Sequence, residues 1–172
     1  SRGLGDVYKR QGLPSAWNFK NYADAMDRMG ITSAFTNSII ITVGSVLLIL
    51  LFSSMAAWVL VRDKSTKSKI VFYIFTAGMI VPFQAVMLPL VKWMGKINFG
   101  GFNMLGTHYG LMFMYLGFGA SMSIFLYHGF IKGIPEEIEE AAIIDGCSKW
   151  QVYTKIVLPL LKPTTVTVAV LN

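Results

Sequence analysis

The chain reads as an all-α protein, a polytopic transmembrane helical bundle, and three observations carry that reading. Of its 172 residues 54% are apolar and only 14% charged, with a mean hydropathy of +0.56, a balance found in membrane proteins. The few charges are clustered, and none falls within 31–61, 70–91 or 97–131. A bilayer core about 30 Å thick is crossed by about 20 helical residues, so each of these runs holds a full span.

The chain has no initiator Met, and Ser1–Gln11 contains no apolar stretch of the kind a signal peptide requires. It is therefore expected to be a fragment with a non-native start. Residues 12–30 are polar and aromatic, with Trp17, Asn18, Phe19, Asn21 and Tyr22 leading a short amphipathic patch over 22–29. Residues 1–33 accordingly form an N-terminal segment, extracytoplasmic or interfacial beyond its first dozen residues, and 34–172 form the membrane domain.

The first span is expected over 34–61. Gly44, Ser45, Ser53, Ser54, Ala56 and Ala57 give it small faces that let helices approach closely in lipid. The segment 62–69 that follows holds four basic residues in eight and belongs in the cytoplasm by the positive-inside rule. That orientation puts 92–103, with two basic residues, outside and 132–162, with four, inside. Lys20 and Arg28, on the outer side, run against this count without reversing it.

The second span, 70–91, contains Pro82 and Pro89, each of which removes a backbone hydrogen bond and kinks a helix. Gln84 is placed to fill such a gap, and a kink satisfied by neighbouring helices is an equal reading. A Gly- and Asn-rich outer turn leads to the third span, 109–131, whose small face is Gly117, Gly119, Ala120, Ser121 and Ser123. His108 and His128 lie about 30 Å apart along that helix, too far to share a metal, and read as interfacial anchors. A fourth apolar run starts at Pro163 and has only ten residues, too few to cross.

Between the third and fourth runs lies a charged island, 135–159. Pro135 suits a first helical position, and Glu136 and Glu137 sit where the helix dipole favours anions. Ile134, Ile138, Ala141 and Ala142 recur on one side, while Glu136, Glu137 and Glu140 are placed for water or a cationic partner. Gly146 stops this helix, and Ser148 caps a second carrying Trp150, Tyr153, Ile156 and Val157, with Pro159 expected to end it. A solvated connector between spans is the rival reading.

Glu140-Ala141-Ala142, Asp145-Gly146, and then Ile156, Leu158 and Pro159 after nine intervening residues resemble the EAA loop of bacterial ATP-binding-cassette importer permeases, without a gap. Trp17-Asn18-Phe19 with Phe35, Asn37 and Ser38, and Val81-Pro82-Phe83-Gln84, are similar to stretches of the carbohydrate-type permeases, the maltose-type second permeases above all. The resemblance implies the type I importer permease fold, normally of six helices, with the second to fourth intact here and a partial fifth. It implies that Glu140, Ala141, Ala142, Asp145, Gly146, Ile156, Leu158 and Pro159 form a cytoplasmic coupling element docked on a separate ATPase subunit. In that role Glu140 is the charged contact, Ala141 and Ala142 pack closely, Asp145 holds the turn and Gly146 sets the angle between the helices. Asn37, Ser38, Pro82 and Gln84 become candidates for the translocation path. The implied partners are a second permease subunit, an ATPase dimer holding ATP and Mg, an extracytoplasmic solute-binding protein and the lipid of a bacterial inner membrane. Sugar import is the implied activity, and import of another solute is the alternative.

The sequence bears on other classes of function. Its net charge of +6 is scattered over loop ends with no basic stripe or stacking platform, which argues against nucleic acid. It contains no G-x-x-x-x-G-K-[ST] motif, so no cofactor is expected on this chain and it is not expected to be an enzyme. A secondary transporter would place ionisable residues at mid-depth of a span, where none occurs. A membrane anchor would not need kinked spans with small-residue faces. The single Cys147 has no partner for a disulfide and reads as a packing residue.

Overall fold

The computed structural model describes residues 30–99 and 102–172, and the chain divides into two compact units, Ser1–Ser38 and Ile39–Asn172. The expected interfacial segment around Trp17–Tyr22 and the suspect start lie outside the described residues.

Helix α1, Ile31–Arg62, starts three residues earlier than the expected span. Within the larger unit its buried positions are Ser45, Ile49, Ser53, Ser54 and Ala57, a seam of mostly small side chains, while Leu47, Leu51, Phe52 and Val59 stay exposed. One packed seam and an apolar remainder is the pattern of a helix facing lipid, where close packing replaces the hydrophobic effect as the force between helices.

Helix α2, Thr66–Gly78, is capped by Ser65, whose hydroxyl accepts from the Ser68 amide. Helix α3, Phe83–Met94, follows at an angle of 103° to it. The sequence predicts one kinked span over 70–91, and the structure has two helices instead. Pro82 is the reason: it sits in an extended conformation, ψ 132°, as the cap of α3, and its ring disfavours a helical residue 81. Pro89 is carried inside α3. Gln84 is exposed and, among the described residues, makes no hydrogen bond that would fill a gap in the backbone.

A two-stranded antiparallel ladder, β1 (Asn98–Phe99) with β2 (Phe102–Asn103), occupies the predicted turn region, pairing Asn98 with Asn103 and Phe99 with Phe102. Thr107 then caps helix α4, His108–Ile131, by accepting from the Gly110 amide. Gly119 lies close to α1: a Cβ there would lie 2.6 Å from the tip of the Ile49 side chain, which would have to shift.

The remaining elements are α5 (Glu136–Ile144), α6 (Lys149–Leu160) and α7 (Lys162–Leu171), with α6 and α7 meeting at 72°. Tyr127 of α4 donates to Thr165 of α7 at 2.9 Å. The buried core gathers Ala57 of α1, Ile124, Tyr127 and Ile131 of α4, Val152, Tyr153 and Val157 of α6, and Val168 of α7. It therefore ties the end of α1 to the segment that carries the charged island. By length and composition α1 and α4 each suffice to cross a membrane, and so do the bent pairs α2–α3 and α6–α7 if each is one span.

Candidate functional site: a helix-turn-helix pinned to the end of a span

The charged island folds as a helix, a sharp turn and a helix. Pro135, expected at the first helical position, is instead the cap, with ψ 133°, and α5 begins at Glu136. Glu136, Glu137 and Glu139 fill the first turn, where the dipole favours them. At the other end the Cys147 amide bonds to the Ala142 carbonyl at 2.9 Å and the Gly146 amide to Ile143 at 3.0 Å, the two bonds of a Schellman motif. Gly146 stands in the left-handed region at φ +89° with nothing within 4 Å of a notional Cβ, so the backbone conformation, and not space, requires glycine there. Asp145, expected to hold the turn, is the exposed C-cap residue; among the described residues its carboxylate accepts no hydrogen bond, and the backbone holds the turn.

Ser148 opens α6 with a reciprocal capping box, its hydroxyl accepting from the Gln151 amide while the Gln151 side chain accepts from the Ser148 amide at 2.8 Å. Pro159 does not end this helix. A π-helical turn over Tyr153–Val157 precedes it, in which the Leu158 amide reaches back to the Tyr153 carbonyl. That widening absorbs the proline's missing donor and the clash of its ring with the preceding turn, so the chain stays helical to Leu160.

The buried side of α5 differs from the expected one. Ile134 is buried and Ala142 half-buried against the core, whereas Ile138 and Ala141 are exposed. The residue that turns inward is Glu139, 6% exposed. Its Oε1 accepts from Arg62 Nη2 at 2.6 Å and Nε at 3.0 Å, and its Oε2 accepts from Trp58 Nε1 at 2.9 Å. Arg62 also donates to the Ile134 carbonyl at 3.2 Å. Beside this cluster, Lys64 pairs with Glu136 at 3.0 Å. A buried carboxylate is tolerable only when paired and hydrogen-bonded, and both its oxygens are used here.

A second fastening lies deeper. The hydroxyls of Ser54 and Tyr153 meet at 2.7 Å, and the Tyr153 ring packs on Trp58 with centroids 5.4 Å apart. The last two turns of α1 thus grip both helices of the island. These contacts also join segments 62–69 and 132–162, the two that basic-residue counting puts on one side of the membrane.

Of the residues singled out in the sequence, Glu140, Ala141, Asp145 and Gly146 lie exposed together on α5 and its turn, and Ile156, Leu158 and Pro159 lie further along α6. Glu140 also lines a cleft of about 480 Å³ with Arg62, Glu139 and Lys149. Pro82 and Gln84 sit at the α2–α3 break, exposed; Asn37 and Ser38 are exposed on the first turns of α1, in the other unit. Sequence reasoning missed Glu139, Arg62 and Trp58. The signal available was an i, i+4 Trp-x-x-x-Arg pair closing a charge-free span, with a glutamate three residues before the half-buried Ala142 on α5.

These features define a multi-pass helical membrane protein with a rigid helix-turn-helix locked to the end of one span. Residues 49–172 match the family described as binding-protein-dependent transport system inner membrane component, and the chain belongs to that family of inner membrane proteins. It is 50% identical over 160 residues to the probable starch degradation products transport system permease protein AmyC of Thermoanaerobacterium thermosulfurigenes, an overlap of 93% of this chain and 56% of that one. It is 35% identical to the melibiose/raffinose/stachyose import permease protein MelC of Bacillus subtilis, covering 99% and 60% of the two chains. It is 31% identical to the diacetylchitobiose uptake system permease protein NgcG of Streptomyces coelicolor, covering 93% and 51%. The chain spans a little over half the length of these relatives.

Proposed function

We propose that this chain is a permease subunit of an ATP-driven, binding-protein-dependent carbohydrate importer, bordering part of the translocation path and docking an ATPase through α5 and the turn that follows it. The observation that carries the reading is that α5 is pinned through one buried carboxylate and still leaves isoleucines exposed. Glu139 fixes the helix to α1, while Ile138, Ile143 and Ile144 stay exposed, Ile144 at 85%. A mere connector has no reason to expose three isoleucines beside a rigid Schellman turn, whereas a docking element gains buried apolar area from them. In this reading ATP and Mg belong to an ATPase dimer, Glu140 meets a cationic group on it, and a second permease and an extracytoplasmic solute-binding protein complete the importer. The relatives named for starch degradation products, diacetylchitobiose and melibiose, raffinose and stachyose support a carbohydrate as cargo. Asn37, Ser38, Pro82 and Gln84 remain the candidates for the path.

The test is Ile144→Glu in the full-length protein with its partners. Loss of the ATPase from the purified complex and loss of labelled oligosaccharide uptake, with the permease still inserted, is the expected result. Unchanged ATPase retention and uptake would contradict the reading.

A further inference from the structure

We propose that the face between α2 and the end of α4 binds an anionic phospholipid of the cytoplasmic leaflet, its headgroup in a basic cleft and an acyl chain in the apolar groove beside it. The inference rests on the orientation adopted above, in which segment 62–69 faces the cytoplasm.

The cleft, about 440 Å³, is lined by Lys64, Lys69 and Lys132 together with Tyr73 and His128. Lys64 already pairs with Glu136, whereas Lys69 and Lys132 have no carboxylate partner among the described residues. Asp63 also lines the cleft, but its carboxylate is committed to the Ser65 amide and to the Ser65 and Ser68 hydroxyls, and the two unpaired lysines outnumber it. Two lysines without a carboxylate partner lining one cleft at a span's cytoplasmic end form a site for a phosphodiester.

The second observation is independent of charge. Phe72 stacks on His128 with centroids 3.8 Å apart and planes 22° apart, and this pair is a wall of two cavities. Behind it lies a groove of about 520 Å³ bounded by Phe125, Leu126, Gly129, Phe130 and Pro163, almost wholly apolar. On α4 the groove begins one to two turns before Lys132, towards the membrane interior. A polar, cationic cleft that continues past a shared aromatic wall into an apolar groove has the two-part chemistry of a lipid. A soluble phosphate would use only the first part, and a zwitterionic lipid would gain little from the lysines.

Native mass spectrometry of the full-length protein in its assembled complex, incubated with phosphatidylglycerol or phosphatidylcholine, tests this. Phosphatidylglycerol adducts are expected to predominate and to resist millimolar inorganic phosphate. Lys69→Gln with Lys132→Gln should lower the bound-to-free ratio roughly 25-fold, about five-fold for each lysine near an anionic surface. Gly129→Phe, at a position with nothing within 4 Å of a notional Cβ, should also lower it by filling the groove without changing charge. Equal retention by these variants, equal binding of phosphatidylcholine, displacement by phosphate alone, or adducts seen only after partner subunits are stripped away would each overturn the proposal. None of these readouts requires ATPase docking, so failure of that reading would be seen separately.

Discussion

Arg62 donates two hydrogen bonds to a single oxygen of Glu139, 77 residues further along the chain, and so fixes α5 to the last turn of α1. Under the proposed docking, a push on α5 would reach α1 through this paired charge, which cannot be separated cheaply. Removing one partner of such a buried pair typically costs about 3 kcal/mol or more, because the other charge is stranded. Glu139→Ala should destabilise the protein by that order, whereas Glu140→Ala, at an exposed position, should change it by less than about 0.5 kcal/mol. Thermal unfolding of the full-length variants in detergent compares them directly, and similar losses at both positions would contradict the assignment.

The Ser54–Tyr153 contact leads to a graded expectation. Ser54 also donates to the Leu50 carbonyl at 2.6 Å, so Tyr153→Phe leaves no stranded donor and should cost only about 1 kcal/mol. Tyr153→Ala removes a ring that is 1% exposed and should cost about 3–5 kcal/mol through the cavity it leaves. The same unfolding measurement serves, and the ratio between the two variants is the informative quantity.

Much of this was legible in the sequence, and the gaps have physical causes. Pro135, Gly146 and Ser148 gave the helix, the glycine turn and the second helix, since each acts through a local residue preference. Glu139 was overlooked because a run of glutamates beside a proline looks solvated. Only the arrival of Arg62 and Trp58 from a distant segment makes burial of one of them favourable. The break at Pro82 and the passage of helix through Pro159 went the other way from expectation for a related reason. A proline's effect depends on whether the turn before it can widen, and the π-turn at Tyr153–Val157 is a tertiary outcome around a buried tyrosine.

At Gly146 the positive φ separates backbone strain from crowding. Gly146→Ala should cost about 1 kcal/mol and Gly146→Asn less, since Asn tolerates the left-handed region. Gly146→Trp should re-aim α6 and uncouple uptake from ATP hydrolysis in the assembled importer. Normal coupling ratios in the Trp variant would refute a mechanical role for this turn.

Asp63 lies in the loop between α1 and α2, and the hydroxyls of Ser68 and Ser65 and the Ser65 amide hold its carboxyl below the usual carboxylate range. Its folded value lies below its unfolded one, so the stabilisation is present above the unfolded value, about 3.9. It is lost as pH falls through the folded value. The gap in melting temperature between the wild type and Asp63→Asn should therefore be constant near neutral pH and shrink only below about pH 4. A gap that closes between pH 6 and 8 would point to another group.

The most direct test of docking by α5 is the accessibility of its outer face. Cys147 is half-buried against the core, so the better reporter is Ile144→Cys in a Cys147→Ser background of the full-length protein. A membrane-impermeant maleimide should label it in inside-out vesicles and not in intact spheroplasts, and the ATPase subunit should protect it. Labelling from the outer face, or labelling that the ATPase leaves unchanged, would contradict the account.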